Sequence, residues 1–303
     1  MHLPIDPAFG RKAATHTPWG KGGDFYTSHR RAVLHERRVA GEAVEDRSDG
    51  DEKAAVSDDE IHINTQSGSQ WDGFSHFGHL SLDCFYQGHT RKAIHQSFER
   101  GLDRPIDPRG EAGPPLGIQA WAQKGICGRG VLLDVWGWLL RNNDGNAPYD
   151  PARSHAISLA DVQACARAQG VHFRKGDILL IRTGWTLRYY HSTPEERREN
   201  STGKKGFVGL EQGEDVLEWL WDHHFAAVAS DCPAFERWPA PMGTPHLHET
   251  LLAMWGCPIG EMFDLEKLTE QCQTHRRWTF YFSSWPLNVF GGVASTANAG
   301  ATF

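Results

Sequence analysis

Three short apolar runs set the strongest limit on how this chain can fold. They are residues 130–136 (GVLLDVW), 177–183 (DILLIRT) and 225–229 (FAAVA). A strand that is apolar at nearly every position must be covered on both faces, which is the pattern of a central strand in an α/β sheet. Amphipathic stretches lie between them. Residues 158–170 place Leu159, Val162, Cys165 and Ala166 on one helical face, with Ser158 as N-cap and Gly170 as the stop. Residues 210–223 carry Val216, Leu217, Leu220 and Trp221 in helical register. Further helices are expected at 116–124 and from near His246 through 250–254, and late strands at 278–284 and 287–290. Strands alternating with helices predict an α/β layer fold.

Residues 1–59 read differently. They are polar and charged, and 48–60 hold six acids with few large apolar groups. This segment is expected to be a partly ordered arm, with a single compact catalytic domain over residues 60–303. The start of the chain, MHLPIDPAFG, has neither a basic opening nor an apolar core, so it does not read as a signal peptide. No apolar run reaches membrane-spanning length. The six cysteines contain no C-x-x-C pair and are expected to be reduced, which fits a cytoplasmic protein. With 38 acidic against 31 basic residues, the net charge of -7 gives no footprint for nucleic acid. A small-molecule substrate is the expected partner, with no nucleic acid and no membrane.

The densest run of chemical side chains is NTQSGSQWDGFSHFGH, residues 64–79. Gln66, Gln70, Asp72, His76 and His79 fall within one strand-to-loop passage. Glycines there allow a carboxylate and an imidazole to approach one reactive centre. The competing reading is an Asx turn with a histidine that serves the backbone. A second run, HLHETLLAMWGCPIGE (246–261), sets His248 and Glu261 at the two ends of a helix-turn unit, where they can converge on a metal. A partly buried helix-start histidine is the alternative for His248, and a capping role for Glu249. His223 and His224 close a helix, where a cation suits the dipole. Asp231 follows a strand end, a position that often reaches a site. Trp71, Phe74 and Trp185 flank the polar clusters and are expected to line an aromatic substrate pocket. No G-x-G-x-x-G, Walker or G-x-S-x-G pattern is present.

These residues resemble the cyclase family of metal-dependent hydrolases, to which kynurenine formamidase, isatin hydrolase and trans-dienelactone hydrolase belong. That family carries His, three residues, His, one residue, Asp, three residues, His. The matching stretch here is Gln66, Gln70, Asp72 and His76, so both upstream histidines are glutamines. The likeness extends through DILLIRTGW, FVGLEQGEDVLEWLWDHHFAAVASDCP, HETLL and PLNVFGGVASTANAGATF. It implies a swivelling β/β/α fold, a homodimer or homotetramer, and a divalent metal, zinc or manganese. By position it implies Asp72, His248 and Glu261 as metal ligands, with His76 as the acid-base residue and Glu261 also in the catalytic set. Gln66, Gln70 and His79 join the aromatic residues as substrate contacts. The two glutamines imply a centre whose metal is weakened or lost. Hydrolysis of a small cyclic or aryl amide, formamide or lactone is the expected activity. A metal-poor lyase, isomerase or cyclising enzyme using His76, and a binding protein that kept the fold, are the alternatives.

Overall fold

The computed structural model describes residues 33–37, 58–94 and 116–303. Its centre is an eight-stranded mixed sheet. In chain order the strands are β1 (Gln70–Asp72), β2 (Ile126–Leu133), β3 (Ile178–Ile181), β4 (Ala227–Ser230), β5 (Ile259–Glu261), β6 (Thr279–Ser284), β7 (Ala294–Thr296) and β8 (Ala299–Thr302). Across the sheet they run β7-β1-β5-β4-β3-β2-β6-β8. The four middle strands, β5, β4, β3 and β2, are parallel. Antiparallel pairs flank them on both sides. The result is an α/β single domain, a curled mixed sheet with surrounding helices, as the alternation of strands and helices predicts.

All four residues of β3 and of β4 are buried, because apolar layers cover both faces. Val131, Leu133, Leu179, Ile181 and Val228 point into one layer. Leu132, Ile178, Leu180, Ala227 and Ala229 point into the other. This alternation is the period of two that a strand imposes. The helix Leu159–Ala168 is capped by Ser158, whose side chain accepts from Asp161 N–H. Its chain reverses at Gly170.

Several element boundaries differ from the sequence reading. The run 130–136 is a strand only to Leu133. Asp134 then accepts from Gly137 N–H and starts the helix Val135–Asn142. The stretch 210–223 is a strand end, Val208–Leu210, followed by the helix Glu214–His223. His223 there holds the Trp219 carbonyl at 2.8 Å, a structural contact. Residues 287–290 are not a strand, and Leu287, Val289 and Phe290 are exposed. Within the expected arm, Val33–Arg37 pairs antiparallel with Asp58–His62; the rest of 1–59 lies outside the described residues. All six cysteines are free. Among the described residues no helix is long and apolar enough to cross a membrane.

Asp231, at the end of β4, ties two neighbouring strands together. Its carboxylate accepts from Thr183 N–H at 2.6 Å, Thr183 Oγ1 at 2.7 Å, Gly184 N–H at 2.9 Å and Thr186 N–H at 3.4 Å. It thereby serves the free N–H groups that open the helix Trp185–Tyr190. Burial pushes its carboxyl up to about 6, against the pull of the Thr183 donors. Asp231→Asn replaces one acceptor oxygen by an amide N–H facing other N–H groups. We expect it to lower stability by about 2–4 kcal/mol, read as a fall in the urea midpoint at constant slope. A midpoint within error of wild type would remove Asp231 from this role.

Candidate metal centre

The register of β1 against β5 places the site. Glu261 lies opposite Gln70, and Ile259 opposite Asp72. Side chains alternate along a strand, so Gln70 and Asp72 share one face with Glu261 while Trp71 takes the other. His248 comes from the approach to a π-helix, Glu249–Trp255, a helix form frequent at functional sites. Asp72, His248 and Glu261 are all buried. One ligand atom from each lies within 4.8 Å of the others.

The polar contacts of this set are specific. His248 Nε2 is 3.1 Å from Glu261 Oε1 and 3.7 Å from Asp72 Oδ2. Gln70 Nε2 donates to Glu261 Oε2 at 2.7 Å and to Gln66 Oε1 at 2.5 Å. Gln66 Nε2 donates to Asp72 Oδ1 at 2.6 Å and lies 3.3 Å from His76 Nδ1. His76 Nε2 faces Asp72 Oδ2 at 3.9 Å, and its side chain is 14% exposed. Asp72 Oδ2 is buried and accepts no hydrogen bond.

Burial would raise the Asp72 carboxyl, but the charges of His76 and His248 and the Gln66 donor hold it below the usual range. Glu261, buried and beside the charged Asp72, is pushed up to about 8. Burial would lower His248, but the carboxylates of Asp72, Glu236 and Glu261 outweigh that and raise it well above an ordinary imidazole. For His76 burial wins, and its pKa falls despite Asp72.

A divalent cation fits this donor set. A buried carboxylate oxygen that accepts no hydrogen bond is costly, and here it converges with an imidazole nitrogen and a second carboxylate. Two oxygens and one nitrogen are a donor set that zinc and other divalent ions accept. The expectation of a degraded centre is therefore overturned. The Asp72–His248–Glu261 set is intact, and Gln66 and Gln70 stand as donors to its carboxylates.

The remaining sequence candidates divide. Phe74 is half-buried and packs on Tyr86 and Trp121, each at 4.9 Å between ring centroids. Trp71 is not a pocket residue. It is 0% exposed on the opposite face, edge-on to Phe263, with its Nε1–H on Ser284 Oγ. Trp185 is likewise buried in the core and stacked on Tyr189. His79 sits 3.6 Å from Glu249, on the π-helix. Tyr86, Trp121 and Glu236 were not singled out from sequence. The two aromatic residues lie in segments with no polar cluster. Glu236 lies in an irregular stretch whose one signal is that it follows a strand end closely.

Residues 7–237 match the cyclase family model, described as "Putative cyclase". The chain belongs to the cyclase family. A solved structure described as a novel cyclase is similar at 29% identity and TM-score 0.66, covering 86% of this chain and 77% of that one. Isatin hydrolase A from Ralstonia solanacearum is 14% identical with TM-score 0.49, covering 82% of this chain and 75% of that one. Isatin hydrolase A from Labrenzia aggregata, bound to benzyl benzoate, is 13% identical with TM-score 0.49, covering 82% and 77%. No curated protein matches the chain. Membership of this family together with the intact acid–imidazole set makes the chain an enzyme of hydrolase type.

Coordination requires Glu261 as carboxylate and His248 with a bare Nε2, yet both hold protons at neutral pH. Ion uptake at pH 6–7 should release on the order of two protons, and affinity should rise as pH is raised from 6 to 8. Calorimetry in buffers of different ionisation enthalpy counts those protons. An affinity that does not change between pH 6 and 8 would contradict the assignment.

Proposed function

We propose that this cyclase-family enzyme hydrolyses the C–N or C–O bond of a small cyclic or aryl amide, formamide or lactone. Asp72, His248 and Glu261 would hold the ion, zinc or manganese. The observation that carries the proposal is the buried Asp72 Oδ2, which accepts no hydrogen bond, converging with His248 Nε2 and a Glu261 oxygen. A divalent ion bound there supplies Lewis-acid polarisation of a carbonyl and acidifies water.

The protein's own side chains supply the rest. Gln66 and Gln70 occupy one oxygen of Asp72 and one of Glu261, which keeps the other oxygen of each turned inward. His76 is the proton carrier. Its lowered pKa keeps the ring neutral at pH 7, and Nε2 is the nitrogen turned toward Asp72. It takes a proton from the attacking water and returns it to the leaving nitrogen or oxygen. Phe74, Tyr86 and Trp121 form an aromatic wall, with Phe74 two residues from both Asp72 and His76, and this favours a substrate with a planar ring.

Protein loaded with zinc or manganese should hydrolyse at least one member of a panel of aryl formamides, benzo-fused cyclic amides and aromatic lactones. Chelation should abolish turnover, and the ion should restore it. No turnover of any member by the loaded protein would overturn the proposal. His76→Ala should lower kcat by about a hundredfold or more, with folding and metal content unchanged. His79→Ala, on a residue tied to Glu249, should cost less. Near-wild-type kcat in folded, metal-matched His76→Ala protein would remove His76 from the chemistry.

A further inference from the structure

Glu236 is a buried carboxylate outside the Asp72–His248–Glu261 set, yet both of its oxygens accept from the segment carrying His248. It is 1% exposed. Its Oε1 accepts from His248 Nδ1 at 2.7 Å and from His248 backbone N–H at 3.1 Å. Its Oε2 accepts from Leu247 N–H at 2.9 Å and from Gln212 Nε2 at 2.7 Å, with His246 Nδ1 at 3.8 Å. One side chain therefore grips residue 248 by backbone and ring together.

The carboxylate is itself held from behind. Gln212 also donates to the Arg237 carbonyl at 2.7 Å, and its Oε1 accepts from the Arg237 guanidinium at 3.2 Å. Arg237 N–H donates to the Leu210 carbonyl at 2.9 Å. Gly209 lets the two segments close, since a Cβ there would stand 2.1 Å from the Glu236 carbonyl carbon. Nothing larger than glycine fits that approach.

An imidazole has two nitrogens, and the partner of one decides what the other can do. A carboxylate accepts only, so Nδ1 beside Glu236 must carry a proton. Once the ring has given up its second proton, as metal binding requires, the lone pair is left on Nε2, the nitrogen that faces Asp72 and Glu261. We propose that Glu236 is a positioning residue of this enzyme. It fixes the tautomer and the aim of His248, and so sets how tightly the ion is held. The inference rests on the metal-centre reading and adds a residue to it.

The test uses Glu236→Gln and Glu236→Asp in the full chain. Zinc affinity is measured by competition with a chromophoric chelator. Nitrogen-15 histidine spectra are recorded on zinc-loaded wild-type protein. Wild type should show His248 with a protonated Nδ1 and a zinc-shifted Nε2. Glu236→Gln should bind zinc about 10- to 100-fold more weakly, because an amide can donate to Nδ1 and move the proton to Nε2. Glu236→Asp keeps the charge and should recover part of that loss. Equal affinity in wild type and folded Glu236→Gln overturns the proposal. So does a wild-type spectrum with zinc on Nδ1, which needs no variant to fold. Wild type that binds neither zinc nor manganese overturns the metal centre itself, and the positioning role with it.

Discussion

The candidate site depends on one short ladder, the antiparallel pairing of β5 with β1. Three residues on each side bring Glu261 opposite Gln70, although 191 positions separate them in the chain. A slip of one residue in β1 would turn Trp71 to the face of Glu261 and send the Asp72 carboxylate into the apolar layer behind the sheet. Trp71 is what makes such a slip costly. It is wholly buried on that reverse face, edge-on to Phe263 and Phe282, and its indole N–H has a partner in Ser284. Burying a side chain of this size contributes on the order of 2–3 kcal/mol, all of it forfeited in the slipped register. The tryptophan that does not touch the site is thus what keeps the acids in it.

Electrostatics explains why these acids are tolerated. Asp72, Glu236 and Glu261 are buried around one imidazole. Left uncompensated, such a group of charges destabilises a fold by several kcal/mol. The three acids meet this in different ways. Glu236 is served by four donors and is drawn down to about 2 despite its burial. Asp72 is held by Gln66 on one oxygen, while the other accepts no hydrogen bond and lies 3.7 Å from His248 Nε2. Glu261 keeps a proton well into neutral pH. A cation and that proton are alternative ways to neutralise the same carboxylate, which is why binding and pH are linked.

Much of the fold was legible in the sequence. Four consecutive apolar residues in ILLI have no exposed face to offer, so the central strands follow from composition alone. Asp72, His76, His248 and Glu261 were legible as a group because acids and imidazoles stood together in two glycine-punctuated runs. What was not legible was direction. In QWD the neighbours of Asp72 point opposite ways, and only the pairing with β5 tells which is inside. Trp71 was therefore assigned to a pocket and is in the core. Gln66 and Gln70 suggest a weakened or lost metal centre, because an amide is a poor ligand. In place they hold the ligand carboxylates, a role that depends on where those carboxylates point. Glu236 is twelve residues from His248 in an irregular stretch, where no periodicity links the two.

The same turn that presents His248 also anchors the aromatic wall. Glu249, the next residue, accepts from Leu80 N–H at 2.8 Å and from His246 N–H at 3.2 Å, joining the start of the π-helix to the segment that leads into the short antiparallel pair Cys84–Phe85 and His89–Thr90. The helix ends at Gly256, in left-handed backbone, and a Cβ there would lie 2.5 Å from the Tyr86 ring. Tyr86 in turn packs on Phe74. A displacement of the π-helix must therefore move the metal ligand at one end and the ring wall at the other. His248, a candidate ligand, and the Tyr86–Phe74 ring pair are thus joined through packed contacts of one π-helix.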